Sequence, residues 1–279
     1  MSFIGRGRPL VFILALSSPS AFADEATWQK AHDAGWKAYQ EGRPDEAEKL
    51  LRDAAKEVKG FKPDDPRVAT TLDHLAWAFC AQGKFADAEP LANWALAARE
   101  KRLGPEHHEV AESLNTLACL CDAQGKPAEA EPLYLRCLAI EEKERGPEHA
   151  NVAALLDNLA ATYHAQKKYD RAEAAYKRAL AIREQAPAGE ETDLAPTLFN
   201  LGTLYLDQAR YAEAEPRLKR SLAIQEKAFG PSHPEVARSL TKLSTLYAAQ
   251  GKKAEAEKLG VRARRIQEEQ ERAEVSVRE

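Results

Sequence analysis

Residues Gly125 to Gln166 read GKPAEAEPLYLRCLAIEEKERGPEHANVAALLDNLAATYHAQ, and the chain says these 42 residues again on either side. The alanine at the centre of the A-E-A motif recurs as Ala47, Ala88, Ala130, Ala172, Ala214 and Ala256, at spacings of 41, 42, 42, 42 and 42. A second ladder of small residues, Gly35, Ala76, Ala118, Ala160, Gly202 and Ser244, keeps the same spacings and always precedes the first by 12. Two ladders locked in phase over six copies define a stacked repeat array, in which each unit completes its core only against its neighbours.

Each unit carries two helical patterns. Leu156, Leu159, Ala160 and Tyr163 lie at i, i+3, i+4 and i+7, one apolar helical face, and Ala172, Tyr176 and Ala179 repeat the theme after the turn AQKKYD. Ala160 and Ala172 mark the place where two antiparallel helices cross too closely for a large side chain. Gly83, Gly125 and Gly251 fit the position after the first helix, where the backbone turns left-handed. Lys167 and Ala209 stand there in two units, so those turns are expected to differ or to carry about 1 kcal/mol of strain. Gly-Pro at 104–105, 146–147 and 230–231 stops the second helix, and Asp65-Pro66 reads as a cap and first residue. Pro90, Pro132 and Pro216 oppose this pattern, because they fall inside the second helix. They come early enough for a reduced penalty, expressed as a bend.

This pattern resembles the tetratricopeptide repeat (TPR), whose unit is about 34 residues long with a large residue, Leu, Gly/Ala, Tyr, then Ala, Phe/Tyr and Ala at set offsets. In the fourth unit the matches are Leu156, Leu159, Ala160, Tyr163, Ala172, Tyr176 and Ala179. The longer period, with L-x-N-L-A, Q-G-K, A-E-A-E and G-P-x-H-x-x-V-A, is similar to the kinesin-light-chain-type subgroup. The resemblance covers roughly residues 26 to 274. It implies an all-α fold, an α-solenoid wound as a right-handed superhelix of about six helix-turn-helix repeats, at about 26–60, 67–104, 108–146, 150–187, 192–230 and 234–274. The first unit departs most, with Ala31, Ala34 and Ala38 where larger residues are expected; the last has Gly260 in place of the aromatic.

Residues 1–23 carry Arg6 and Arg8, then the apolar run Pro9–Leu16, then Ala21-Phe22-Ala23 before Asp24. This is the pattern of a cleavable signal peptide, and an apolar run shorter than the roughly 20 residues of a membrane span argues against an uncleaved anchor. A periplasmic or secreted protein is expected, cleaved after Ala23. The 256 residues that remain are filled by six units, as one elongated domain. Loss of Arg6 and Arg8 takes the net charge from −4 to −6, which argues against nucleic acid and anionic membranes as partners. The last helix ends in the polar run RARRIQEEQERAE, the outer cap an array needs, and VSVRE is expected to fray.

Export raises the question of disulfides for Cys80, Cys119, Cys121 and Cys137. Cys121 and Cys137 fall on core positions. A Cys80–Cys119 bridge stays open, and a Cys119-x-Cys121 metal pair has the wrong spacing. The carboxylates sit in A-E-A-E and I-x-E-K runs, solvated faces with partners such as Glu141 and Arg145. His107-His108, His149 and His233 recur in the G-P-x-H turn. No nucleophile motif, phosphate loop or H-E-x-x-H is present, so a non-catalytic protein without metal or cofactor is expected.

The family holds peptides on the concave side, lined by the first helix of each unit. Carried over, that lining comprises Trp36 and Tyr39 in the first unit; Asp73, His74 and Trp77 in the second; Asn115 and Asp122 in the third; Asp157, Asn158 and His164 in the fourth; Asn200 in the fifth; and Lys242 in the sixth. Phe199 and Leu206 make the fifth unit's share apolar. Trp36 and Trp77 are candidate anchors for a partner side chain, or Trp36 fills in for the small alanines of the first unit. Asn158 and Asn200 match the asparagines that grip a peptide backbone. Asp33, Asp73, Glu112, Asp122 and Asp157 outnumber Arg238 and Lys242, so a basic or neutral protein partner is expected. An assembly component that self-associates through its terminal repeats is the alternative.

Overall fold

In the computed structural model the described residues are 25–185 and 191–278, with side chains described to 272; the signal peptide expected at 1–23 lies outside them. Twelve α-helices follow one another: α1 (Glu25–Gln40), α2 (Pro44–Glu57), α3 (Pro66–Ala81), α4 (Phe85–Leu103), α5 (His108–Ala123), α6 (Pro127–Arg145), α7 (Ala150–Ala165), α8 (Tyr169–Glu184), α9 (Leu194–Asp207), α10 (Tyr211–Phe229), α11 (Pro234–Ala249) and α12 (Lys253–Arg278). Short 3-10 turns at Val58–Gly60 and Glu191–Asp193 complete the described elements. This is an all-α fold of the α-solenoid class.

The chain divides into two compact units with the boundary between Arg145 and Gly146. Contacts in a repeat array are local, so such a division falls at a repeat junction. In the first unit α1 pairs with α2, α3 with α4 and α5 with α6, while α1, α3 and α5 also touch in sequence. The second unit repeats this with α7 to α12: three hairpins, with α9 touching both α7 and α11. The odd-numbered helices therefore form one layer within each unit and the even-numbered helices the other.

The small-residue ladders do what their chemistry requires. Ala76, Ala118 and Ala160 on the odd helices and Ala88, Ala130, Ala172 and Ala214 on the even ones are fully buried. At Gly35 and Gly202 a Cβ would come within 2.7 Å of Leu51 Cγ and Leu218 Cγ respectively. Leucines thus fill the space the glycines leave.

The helix ends are written in the turns. Asp65 caps α3 by accepting from the Arg67 N–H at 3.0 Å. His107, His149 and His233 each occupy the N-cap, where Nδ1 accepts the N–H two residues on, at 3.2, 3.1 and 3.3 Å. The periodic histidine of G-P-x-H thus stands in for the usual Ser or Asp cap. Gly104 and Gly230 lie at φ 86°, ψ 162° and φ 84°, ψ 166°, a region open essentially to glycine alone. Helices α4, α6 and α10 run unbroken through Pro90, Pro132 and Pro216. Helix α12 runs as far as Arg278, and its stretch of Glu, Arg, Gln and Ala before Val275 consists of strong helix formers.

Lys167 and Ala209 adopt the same left-handed turn as the glycines, at φ 59° and 57° against 70° for Gly125. The hydrogen bonds also match: Lys168 N–H to Tyr163 O and Lys126 N–H to Cys121 O are both 2.9 Å. The turn does not differ, so the strain is carried. Nothing lies within 4 Å of a Cβ built on Gly125, which leaves the backbone as the sole source of cost. Lys167→Gly and Ala209→Gly should each stabilise the protein by about 1 kcal/mol, and Gly125→Ala should destabilise it by a similar amount. Urea-unfolding midpoints check both directions.

Candidate functional site

On the odd-helix layer of the first unit, aromatic rings stack in a column. Trp28 lies on His32 (centroids 5.0 Å apart), His32 on His74 (4.8 Å), His74 on Trp36 (3.8 Å) and Trp36 on Tyr39 (5.1 Å), with Trp77 tilted against Tyr39 at 6.1 Å. Trp28 is buried and donates its Nε1–H to Thr71 Oγ1 at 2.9 Å, tying α1 to α3. Bulky rings thus replace the large residues missing at Ala31, Ala34 and Ala38. Burial pushes the His74 imidazole down to about 3, so the ring is neutral in the stack. Trp36 supports the next helix through His74, while Trp36, Tyr39 and Trp77 stay half-buried at the surface. Asp33 is exposed, and its carboxyl is held low chiefly by the Gln29 amide, 2.7 Å away.

The second unit's odd layer differs. Asn158, Asn200 and Lys242 lie one repeat apart on α7, α9 and α11; each is half-buried, and their side chains have no hydrogen-bond or ionic partner among the described residues. Ala161, Thr203 and Thr245 stand where the first unit has Trp36 and Trp77. His164 Nε2 meets Asp207 Oδ2 at 2.9 Å, linking α7 to α9.

The odd layers, with their paired even helices, match one family over most of the chain. The family model described as tetratricopeptide repeat matches residues 34–101, 95–143, 123–185 and 193–269. The chain belongs to the tetratricopeptide repeat family. A Podosopora anserina kinesin-light-chain-like protein of nearly identical TPR-like repeats is similar at 27% identity and TM-score 0.63, covering 75% of this chain and 98% of that one. BtubC (BKLC) from P. vanneervenii is similar at 25% identity and TM-score 0.65, covering 88% and 92%. PilW, a type IV pilus biogenesis factor, shares the fold at 17% identity and TM-score 0.62, covering 85% and 91%. No curated protein sequence matches the chain.

Several lining residues of this TPR protein lie elsewhere than the family positions imply. The Asp73 carboxylate is buried and pairs with the buried Arg99 guanidinium of α4; Ser113 Oγ on α5 donates to it at 2.7 Å. Asp157 repeats the arrangement with Arg183 of α8, and Thr197 Oγ1 of α9 donates to it at 2.9 Å. Each aspartate ties its own hairpin to the next first helix, so neither is a free groove charge. Phe199 is buried too, beneath the Arg238 guanidinium 4.6 Å from its centroid. Asp122, Asn115 and His164 remain half-buried at the surface.

The sequence reading missed the arginines of these latches. The signal was there: Arg99 and Arg183 each follow an aspartate by 26 residues, and Arg99 is buried while Arg183 is half-buried on an even helix. The equivalent residues Glu141 and Gln225 are buried as well. Glu141 meets Arg145 at 3.0 Å, and Gln225 accepts from Ser239 at 2.6 Å.

All four cysteines are free thiols. Burial pushes Cys119 up to about 11 and Cys137 up to about 12, so neither is a ready nucleophile. Surface carboxylates are spent on ion pairs between neighbouring even helices, as in Glu100–Arg136 (2.6 Å), Glu184–Arg220 (2.5 Å) and Glu226–Arg262 (2.6 Å).

Removal of one latch partner strands a buried charge. Asp73→Ala should cost about 3–5 kcal/mol, and the joint change Asp73→Leu with Arg99→Met far less, as measured by urea unfolding. Burial also pushes the Asp73 carboxyl up to about 6, against the opposing pull of Arg99 and Ser113. A folded-state value above the unfolded one means that the folded protein takes up its proton first as pH falls. The Asp73 contribution is then greatest below the unfolded value and declines as pH rises through about 6. The margin of the wild type over Asp73→Asn should therefore be larger at about pH 5 than at about pH 8. The reverse order would mean that the ion pair outweighs burial.

Proposed function

We propose that this TPR protein is exported and acts as a non-catalytic scaffold, holding an extended segment or helix of another protein against its odd-helix faces. TPR folds serve generally as protein-interaction scaffolds. The observation that carries the reading here is the set of unpartnered carboxamides. A half-buried amide with no partner in its own chain has a donor and an acceptor to offer, which is what gripping a peptide backbone requires. Asn158 and Asn200 supply two such groups one repeat apart, with Lys242 on the following helix. Export is supported by the charge, apolar run and A-x-A site of residues 1–23.

Asp73 and Asp157 are held in latches and Glu112 also meets Arg99 at 3.3 Å, so the acidic character of the first unit's face rests on Asp33 and Asp122. A basic or neutral segment suits that face. Self-association through the last repeat is less well supported, since the outward residues Glu255, Glu257, Lys258, Arg264, Arg265, Gln267 and Glu268 of α12 are exposed and polar.

A photo-crosslinking residue placed at 158 or 200 in cells should yield a discrete protein adduct, and one at exposed Lys219 on α10 should not. The exported form should begin at Asp24 by mass spectrometry. Equal adducts from both faces would remove the groove reading, and a chain retained with its leader would remove export.

A further inference from the structure

Two imidazoles meet face to face where α1 rests on α3. His32 of α1 is buried, and its ring lies 4.8 Å from that of half-buried His74 on α3, at an interplanar angle of 18°. Trp28 stacks on His32 at 5.0 Å and Trp36 stacks on His74 at 3.8 Å. One nitrogen of each ring, His32 Nε2 and His74 Nδ1, is buried with no hydrogen-bond partner. A neutral imidazole tolerates this, because its bare nitrogen carries only a lone pair. An imidazolium does not: both nitrogens then carry a proton, and the new N–H would be buried, charged and without an acceptor. The stack stands beside the Trp28–Thr71 hydrogen bond and the Tyr39–Trp77 contact, so it is part of what holds the first helix to the array.

The charges around the pair mostly oppose a proton. Within electrostatic reach of His74 are His32 and Asp33 of α1 and Arg99 of α4; His32 and Arg99 disfavour its charge, and Asp33 favours it. Among the described residues α2, α5 and the 58–60 turn, which also pack on α3, add no charged group within that reach. The exposed Asp33 carboxylate lies 3.3 Å from His32 Nδ1, which leaves Nε2 as the orphan. Asp73, the chain neighbour of His74, titrates as well, but its partners Arg99 and Ser113 tie α3 to α4 and α5 and not to α1.

We propose that the His32–His74 stack is an acid-opened clasp: uptake of a proton by the pair releases α1 from α3 and uncovers the rings of the first unit's face. This goes beyond the scaffold reading and holds whether or not a partner sits on that face. An imidazole whose ordinary value of 6.5 is lowered to about 3 by packing supports the closed form above pH 6.5 and loses that support as pH falls. Between about pH 7.5 and about pH 5 the open-to-closed ratio of α1 should therefore rise about thirtyfold.

Hydrogen exchange of the whole chain, read as protection relative to an unstructured peptide at the same pH, tests this. Amides of α1 should lose protection about thirtyfold from about pH 7.5 to about pH 5, and those of α10, a helix without histidine, far less. His74→Phe keeps a flat ring in the stack and takes no proton, so most of the α1 loss should disappear. If circular dichroism shows that His74→Phe has lost its helices, His74→Asn takes its place, since the array itself carries asparagine at the equivalent positions 158 and 200. Protection of α1 that stays level between the two pH values, a loss of equal size in α10, or the same α1 loss in a folded His74 variant overturns the proposal.

Discussion

The close crossing of paired helices is the constraint on which the rest of this structure depends. At Gly35 and Gly202 even a methyl group would collide with a leucine of the paired even helix, and where the sixth unit has Ser244 the even helix itself supplies Gly260. Close approach brings both backbones into dense packing and leaves the odd helix with a second side free of its partner. That second side splits into a strip against the next hairpin and a strip left at the surface. The surface strip exists because the crossing is tight.

Between hairpins the chain adds polar specificity to apolar packing. The Asp73–Arg99–Ser113 and Asp157–Arg183–Thr197 groups each join three helices around one carboxylate, buried at Asp73 and half-buried at Asp157. A buried ion pair is a poor source of net stability, because desolvation offsets the attraction. It does penalise any register in which the charges fail to meet. Apolar stripes that repeat every 42 residues could slide or pair with the wrong neighbour, and a charge that must find its partner works against that.

The two units present unlike faces built from equivalent positions. The column of Trp28, His32, His74, Trp36 and Tyr39 makes the first unit aromatic and acidic, while Asn158, Asn200, Thr203 and Lys242 make the second polar with a positive end. One backbone plan thus carries two surface chemistries. The aromatic column also has a structural cause, since α1 has alanine where its siblings have leucine and must fill that volume with rings.

The period, the hairpin, the crossing residues and the glycine turns were determined by sequence alone, because each depends on spacing and side-chain size, which one strand of text contains. The Gly-Pro stop and the capping histidine of G-P-x-H were legible as periodic positions for the same reason. Asp73 and Asp157 were not legible: on a helical wheel they fall beside the groove positions, and only the arrival of Arg99 and Arg183 from the facing helix turns them inward. Phe199 failed likewise, since Arg238 from the next repeat closes over it. His74 read as a lining residue until two helices brought it face to face with His32. Local periodicity assigns a residue to a side of its own helix; which atom meets it there depends on a neighbour 26 to 42 residues away, and that is decided by tertiary packing.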